Sequence, residues 1–95
     1  MAQVLRSSRA DVDLFEIWSY IAEDNIAAAD RLLDEIDAAC QRLAENPMAG
    51  HSRDELVPGL RSYAVRKYLV FYLPTPEGVA VARVLHGAQD LKQLL

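Results

Sequence analysis

Cysteine is nearly absent from this sequence, and so are long apolar runs. Cys40 is the only cysteine, which excludes an internal disulfide and a cysteine-based zinc cluster. The longest apolar stretch, Tyr68 to Leu73, is far too short to span a bilayer. The N-terminus holds no apolar run of signal-peptide length. We therefore expect a soluble, cytoplasmic protein that does not contact a membrane.

The composition is that of an ordinary globular domain, and its charge is uneven. The 95 residues are 52% hydrophobic and 25% charged, and their number suits one domain, residues 1–95. The formal net charge is -4, with -6 in residues 1–47 (four arginines, ten acids) and +2 in residues 48–95 (six bases, four acids). Because no dense basic patch is present, we expect no direct binding of nucleic acid by the chain alone.

Two amphipathic helices are predicted in the first half. Ser8 and Asp11 have the spacing of a capping box, which predicts a helix start. Apolar residues then recur at helical spacing, with Trp18 expected in the core. The apolar residues of this first helix are Leu14, Phe15, Ile17, Trp18, Ile21 and Ala22.

The second helix has the clearest pattern of the chain. Asp24-Asn25 can end the first helix and cap the second. Asn46-Pro47 ends the second helix, because proline disfavours a helical residue before it. A short connection between two amphipathic helices predicts an antiparallel hairpin. The apolar stripe of the second helix comprises Ala29, Leu32, Leu33, Ile36, Cys40 and Leu43. Cys40 is therefore expected to be a buried thiol.

The remaining segments are predicted to form a sheet, which makes the fold class α+β. Residues 3–6 are an N-terminal strand, and residues 60–65, 68–73 and 79–86 form a three-stranded antiparallel meander with the hairpin packed on one face. A loop over 47–59 precedes the meander, and a short C-terminal helix follows it. Residues 68–73 are apolar on both faces, so the face opposite the hairpin is expected to be covered by the C-terminal segment, by a partner, or by both.

Few residues are candidates for chemistry. His86, at the end of the last strand, is either a general acid or base or a residue that fixes the following turn. Arg61 and Arg83 lie on strands, where each would bind a phosphate or carboxylate or else pair within the fold. Arg66 and Lys67 lie between strands and are expected to be solvated. The sequence contains no metal-binding motif, glycine-rich phosphate loop or nucleophile–base pair, so we expect no metal and no cofactor.

A series of short motifs runs along nearly the whole chain. They are Asp13-Leu14-x-x-Ile17-x-x-Tyr20-Ile21-Ala22, Ala28-Ala29-x-Arg31, Leu43-x-x-x-Pro47-x-x-Gly50-x-x-Arg53-x-Glu55-Leu56, Gly59-Leu60-Arg61, Tyr68-x-Val70-Phe71-Tyr72 and Arg83-Val84-Leu85-His86-Gly87-Ala88-Gln89-Asp90-Leu91. Together they resemble the RelE/ParE superfamily of toxins, and the closing motif is most similar to the ParE branch. The resemblance implies the toxin of a type II toxin–antitoxin pair, with a helical hairpin on an antiparallel sheet.

The two branches of the superfamily imply different activities. ParE-like toxins poison DNA gyrase, whereas RelE-like relatives cut messenger RNA on the ribosome, where Arg61, Arg83 and His86 would be the catalytic residues. The loop before Leu60 holds Asp54 and Glu55 and no lysine, which opposes an incoming phosphate. This favours a non-catalytic gyrase inhibitor, and a ribosome-dependent ribonuclease or a non-toxic partner-binding relative remain the alternatives.

The resemblance also implies two binding surfaces and a toxin–antitoxin hetero-oligomer. The antitoxin would wrap the toxin with its C-terminal part. Gln89 stands where many ParE-like chains carry arginine. If that charge helps to hold the gyrase target, potency or target choice would differ here. Candidates for binding the target are Arg61, Arg83, His86, Gln89, Leu91, Leu94 and Leu95. Candidates for binding the antitoxin are Trp18, Tyr68, Val70 and Tyr72.

Overall fold

The computed structural model describes residues 2–88. The elements are β1 (Gln3–Arg6), α1 (Ser8–Ala22), α2 (Ile26–Glu45), a 3₁₀ turn (Pro47–Ala49), β2 (His51–Ser52), β3 (Arg61–Val65), β4 (Tyr68–Thr75) and β5 (Gly78–His86). The predicted C-terminal helix, with Leu91, Leu94 and Leu95, lies outside the described residues, as does Gln89.

Both helices begin at a side-chain cap. The cap of α1 is Ser7 rather than the predicted Ser8: its hydroxyl accepts a hydrogen bond from the Ala10 N–H at 3.0 Å. Asn25 caps α2 as predicted, accepting from the Ala28 N–H at 3.0 Å. The second helix ends at Glu45, immediately before Asn46 and Pro47. The connection between the helices is therefore short, and the two pack as a hairpin.

The sheet has five strands in the order β1-β5-β4-β3-β2. Strands β3, β4 and β5 form the predicted antiparallel meander, while β1 pairs in parallel with β5. The two-residue strand β2 was not predicted; it extends the edge beside β3. A bulge in β5 lies opposite Phe71 and Tyr72. The α+β class, with a hairpin packed on the sheet, is confirmed.

The main core lies between the hairpin and one face of the sheet. Val70, Tyr72, Val79 and Val81 of the sheet are at most 1% exposed in this core. Cys40 also lies here, and burial, followed by the charge of Asp37, raises the pKa of its thiol to about 11. The helix residues of this core are Ala10, Leu14, Leu32, Ile36, Ala39, Cys40, Leu43 and Ala44.

A second, smaller core covers the opposite face of the sheet. Phe71, Leu60 and Leu85 are buried there, and Leu56 packs against them. The segment 53–60 folds over this face, closed by a hydrogen bond from the Arg53 N–H to the Leu60 carbonyl at 2.7 Å. The expectation that only the C-terminal segment or a partner would cover this face is therefore wrong, because a loop without apolar periodicity contributes to the cover.

Two aromatic residues of α1 depart from prediction. Phe15 is 68% exposed, so it does not widen the buried face of the helix. Trp18 is half-buried, and its indole N–H donates to Asp30 Oδ1 at 2.8 Å, which joins α1 to α2. Within residues 2–88, neither helix has the length and hydrophobicity needed to cross a membrane.

Tyr72, one of the predicted antitoxin contacts, uses its hydroxyl for hydrogen bonds within the fold. Its buried hydroxyl donates to the Pro47 carbonyl at 2.7 Å and accepts from the Gly50 N–H at 2.9 Å. A Cβ at Gly50 would lie 2.5 Å from the same hydroxyl oxygen, so only glycine fits there. The contact ties the segment that leaves α2 to the centre of the sheet.

We expect Tyr72→Phe to lower the free energy of unfolding by about 1–3 kcal/mol, because the buried Gly50 N–H loses its acceptor. Urea denaturation followed by circular dichroism measures the change. Tyr63→Phe on β3 is the matched control, since the Tyr63 hydroxyl bonds no residue within 2–88. Equal effects of the two substitutions would contradict the role assigned to Tyr72.

Candidate partner-binding cleft

A cleft of about 980 Å³ opens between the helical hairpin and one end of the sheet. One stripe of α1 and one stripe of α2 form two walls, while the turn between β3 and β4 and the end of β5 complete it. The lining residues are Arg9, Asp13, Glu16, Ile17, Tyr20, Ile21, Ala28, Arg31, Leu32, Glu35, Arg66, Lys67, Tyr68, Arg83, Val84, Leu85 and His86.

Helical spacing places the α1 residues of the cleft. Asp13, Glu16 and Tyr20 recur at three- and four-residue intervals and so share one side of the helix. This side lies next to the one that carries Ala10 and Leu14 into the main core. The packing that buries Ala10 and Leu14 therefore also places Asp13, Glu16 and Tyr20 in the cleft.

Asp13 and Arg83 form the charged floor of the cleft. Arg83 Nε and Nη2 donate to Asp13 Oδ2 and Oδ1 at 2.8 and 3.0 Å, and the Val84 N–H also donates to Oδ2 at 3.0 Å. The side chains are only 12% and 8% exposed. The hydrogen bond to Asp13 raises the pKa of Arg83, with burial acting in the opposite direction.

Asp13 was missed as a site residue in the sequence. It appeared only as part of a family motif, and nothing local shows that Arg83, seventy residues later, faces it. The sequence offers one signal for such a role. Asp13 is an acidic residue directly before Leu14, close to the side of α1 that the apolar spacing predicts to face the core. Its role is to hold α1 against the part of β5 that lies beyond the end of β1.

The turn between β3 and β4 closes the cleft on the α2 side. Arg66 occupies the left-handed region with φ 53°. Its Nε lies 2.9 Å from both carboxylate oxygens of Glu35 on α2. Arg66 is exposed, in agreement with the expectation that it is solvated, and it also pairs with Glu35. The pair is substantially exposed and contributes little stability.

His86 and Tyr68 stand opposite each other on neighbouring strands at the cleft wall. Their rings meet edge to face, with centroids 5.5 Å apart and an interplanar angle of 84°. The Ala88 N–H donates to His86 Nδ1 at 3.1 Å, which fixes the turn after β5. Tyr68 is thus the one predicted antitoxin contact that lines this cleft.

Arg61 lies elsewhere, at the far end of β3. Its Nε and Nη2 donate to the Gly50 carbonyl at 3.0 and 2.7 Å, and Nη2 also donates to the Met48 carbonyl at 3.0 Å. It satisfies backbone carbonyls of the segment after α2. Of the three predicted catalytic candidates, the cleft therefore brings together Arg83 and His86 but not Arg61.

The other predicted antitoxin contacts are placed differently from the expectation. Val70 and Tyr72 are 0% exposed beneath the hairpin, so the prediction that they contact a partner is wrong in this conformation. Because residues 68–73 are apolar on both faces, the sequence does not indicate which face of β4 the helices cover. Trp18 is partly accessible but does not line the cleft.

The cleft has a charge opposite to that of the whole chain. Its lining holds five of the ten basic residues and three of the fourteen acidic residues, a net charge of +2 within a chain of -4. Two of these acids are paired inside the cleft, Asp13 with Arg83 and Glu35 with Arg66. Between residues 2 and 88, no group of three or more His, Cys, Asp or Glu is placed to hold a metal ion.

Comparison with known proteins shows first a shared fold and then the family of the chain. A solved structure described as a chromosomal ParDE toxin–antitoxin system from P. aeruginosa has the same fold, with a TM-score of 0.74 at 18% identity over 90% of this chain and 96% of that one. Residues 4–91 match the family described as the ParE toxin of the type II toxin–antitoxin system parDE. The chain therefore belongs to the ParE family of type II toxins.

Curated relatives agree with this assignment over more than nine-tenths of their length. The chain is 34% identical over 96 residues to Toxin ParE1 of Mycobacterium tuberculosis, covering 99% of this chain and 98% of the relative. It is 32% identical over 92 residues to Toxin ParE3 of Caulobacter vibrioides, covering 96% and 92%. The resemblance drawn from the motifs is thereby confirmed.

Proposed function

We propose that this ParE-family toxin inhibits DNA gyrase by binding to it, without catalysing a reaction, and that a cognate antitoxin neutralises it in a hetero-oligomer in the cytoplasm. The observation that carries the non-catalytic proposal is the engagement of all three candidate ribonuclease side chains in contacts within the fold. Family membership supports the toxin class, and the cleft offers a partner-binding surface.

Cleavage of RNA would require a base for the 2′-hydroxyl, a cation for the phosphate and an acid for the leaving oxygen, all converging on one point. Arg83 directs two donors at Asp13, and Arg61 directs its donors at the Gly50 and Met48 carbonyls. His86 Nδ1 accepts the Ala88 N–H. These contacts favour structural roles for the three residues.

The loop before β3 adds negative charge where an RNA-cutting relative would have basic residues. The Gly59 N–H donates to Asp54 at 2.8 Å, and this bond, followed by one from Ser52, lowers the pKa of the Asp54 carboxyl. Asp54 is therefore ionised at neutral pH, beside Glu55. Arg53 pairs with Glu55 at 3.6 Å, so residues 53–55 together keep a net charge of -1. This charge disfavours phosphate and supports a protein target over an RNA substrate.

The decisive experiment uses purified toxin, gyrase and relaxed plasmid. We expect the toxin to prevent gyrase from supercoiling the plasmid and to cause cleaved DNA to accumulate. Addition of the antitoxin in equimolar amount should restore the supercoiling activity of gyrase. Full-length messenger RNA should persist in cells arrested by the toxin.

Two outcomes would contradict the proposal, and each favours an alternative. Cleaved messenger RNA together with unaffected gyrase would indicate a RelE-like ribonuclease. Normal growth on induction without the antitoxin, with gyrase unaffected, would indicate a non-toxic partner-binding relative.

A further inference from the structure

The outer side of α1 carries two exposed apolar residues. Val12 is 43% exposed and Phe15 is 68% exposed, and because they stand three residues apart they share one side of the helix. This side lies away from Ala10 and Leu14, which enter the main core. A largely exposed aromatic ring beside a second exposed apolar side chain marks an interaction surface.

The apolar pair lies at the centre of a heptad pattern along this side of α1. Its residues recur at intervals of four, three, four and three positions, which is the spacing of a coiled-coil seam. They are Ser8, Val12, Phe15, Ser19 and Ala22. Because Val12 and Phe15 are exposed, nothing within residues 2–88 covers the centre of this seam. The small residues on either side of it leave room for a second helix to approach closely.

Two residues of opposite charge lie along one edge of the seam. Arg9 and Glu16 are both exposed, and neither forms an ion pair with residues 2–88. They are seven residues apart, about two helical turns, so both occupy the same edge. In an antiparallel pair of identical helices, this edge of one helix meets the same edge of the other in reverse order. Arg9 of each helix then meets Glu16 of the other.

We propose that two copies of this chain associate through α1, antiparallel about a two-fold axis that passes between Val12 and Phe15. Val12 of each copy packs against Phe15 of the other, and Arg9 pairs with Glu16 on both sides of the axis. An interface between identical subunits about a two-fold axis must be complementary to itself. The apolar pair and the charged pair both meet this requirement, and for this reason a second copy is the occupant of the seam.

The length of α1 and the charge of the chain limit the strength of this association. The 15 residues of α1 span about 22 Å, so two such helices bury less than the roughly 1,200 Å² of a standard interface. The formal net charge of -4 on each copy opposes association at low salt. We therefore expect a weak, reversible dimer with a dissociation constant on the order of 100 µM.

Sedimentation equilibrium of the purified full chain tests the proposal, over roughly 10 to 300 µM in buffer with salt near 0.15 M to screen the net charge. We expect the mean mass to rise toward that of a dimer with concentration. Phe15→Glu should weaken association at least about tenfold, because the central apolar contact is replaced by an unpaired charge. A wild type that stays monomeric over this range would overturn the inference, and so would undiminished association of Phe15→Glu.

Tyr20→Glu is the matched control. Tyr20 is also an aromatic residue of α1 and is 75% exposed, but it lines the cleft rather than the seam. We expect less than about a twofold change in the dissociation constant for this variant. Equal losses for Tyr20→Glu and Phe15→Glu would overturn the inference, since the second copy would then not be held by the seam in particular.

An exchange of charges tests the antiparallel direction. Arg9→Glu and Glu16→Arg should each weaken self-association about fivefold, because two attractions become two repulsions. An equimolar mixture of the two variants should associate at least as tightly as the wild type, since each edge contact between unlike chains then joins a glutamate to an arginine. A mixture that associates no more tightly than either variant alone would overturn the inference. These measurements involve no gyrase, so they are independent of the supercoiling assay.

Discussion

Replacing Asp13 by alanine is expected to lower the free energy of unfolding by about 3–5 kcal/mol, the cost of breaking a buried ion pair from one side. Arg83, at 12% side-chain exposure, would lose both hydrogen bonds that it donates to this carboxylate. The Val84 N–H, which donates to Asp13 at 3.0 Å, would also lose its acceptor. A domain of this length has a total stability of about 5–14 kcal/mol, so the loss would be a large fraction.

Glu16→Ala is the control for this substitution. Glu16 lies three residues further along α1, lines the same cleft and is exposed, so its removal should change stability by less than about 0.5 kcal/mol. Urea denaturation of both variants measures the difference. A loss below about 1 kcal/mol for Asp13→Ala would show that the pair contributes little to the fold.

The double substitution Asp13→Leu with Arg83→Met tests the physical cause. If the penalty arises because the buried charge of Arg83 loses its Asp13 partner, replacing both residues by apolar side chains should recover much of the stability. If the penalty arises from lost packing of α1 alone, the double variant should be no better than Asp13→Ala. The contribution of the Asp13–Arg83 pair to stability would then come from packing rather than from charge.

The elements that sequence reasoning predicted are those encoded by neighbours in the chain. The stripe of α2 repeats at helical spacing, Asn25 precedes it and Pro47 follows it, so both its type and its ends are local properties. The antiparallel meander likewise follows from the short connections between successive strands. These signals required no knowledge of the rest of the molecule.

The features that escaped prediction depend on residues distant in sequence. The parallel pairing of β1 with β5 joins Val4 to Val79, and the cleft floor joins Asp13 to Arg83. The exposure of Phe15 depends on how much of the surface of α1 is covered by α2 and the sheet, and periodicity alone does not define this. The charge of the cleft arises only when α1, α2 and the β3–β4 turn meet.

The second core was missed because the loop that builds it has no repeating pattern. Leu56 and Leu60 stand among Pro58, Gly59 and charged residues, a composition typical of an exposed loop. In the structure the Arg53 guanidinium lies 5.9 Å from the centre of the Phe71 ring, and Arg53 Nε donates to Ser62 at 2.8 Å. One arginine thus holds the loop over the far face of the sheet.

Phe71→Ala is expected to lower the free energy of unfolding of the isolated toxin by about 3–5 kcal/mol, because a fully buried aromatic leaves a cavity among Leu60 and Leu85. Leu73→Ala is the control on the same strand: Leu73 is 38% exposed, so we expect about 1 kcal/mol or less. Chemical denaturation without any partner present measures both.

The comparison decides between two accounts of the far face. If a partner were needed to cover that face, Phe71 would be solvated in the isolated toxin, and its truncation would cost no more than that of Leu73. A loss several times larger for Phe71 would mean that the chain itself closes this side.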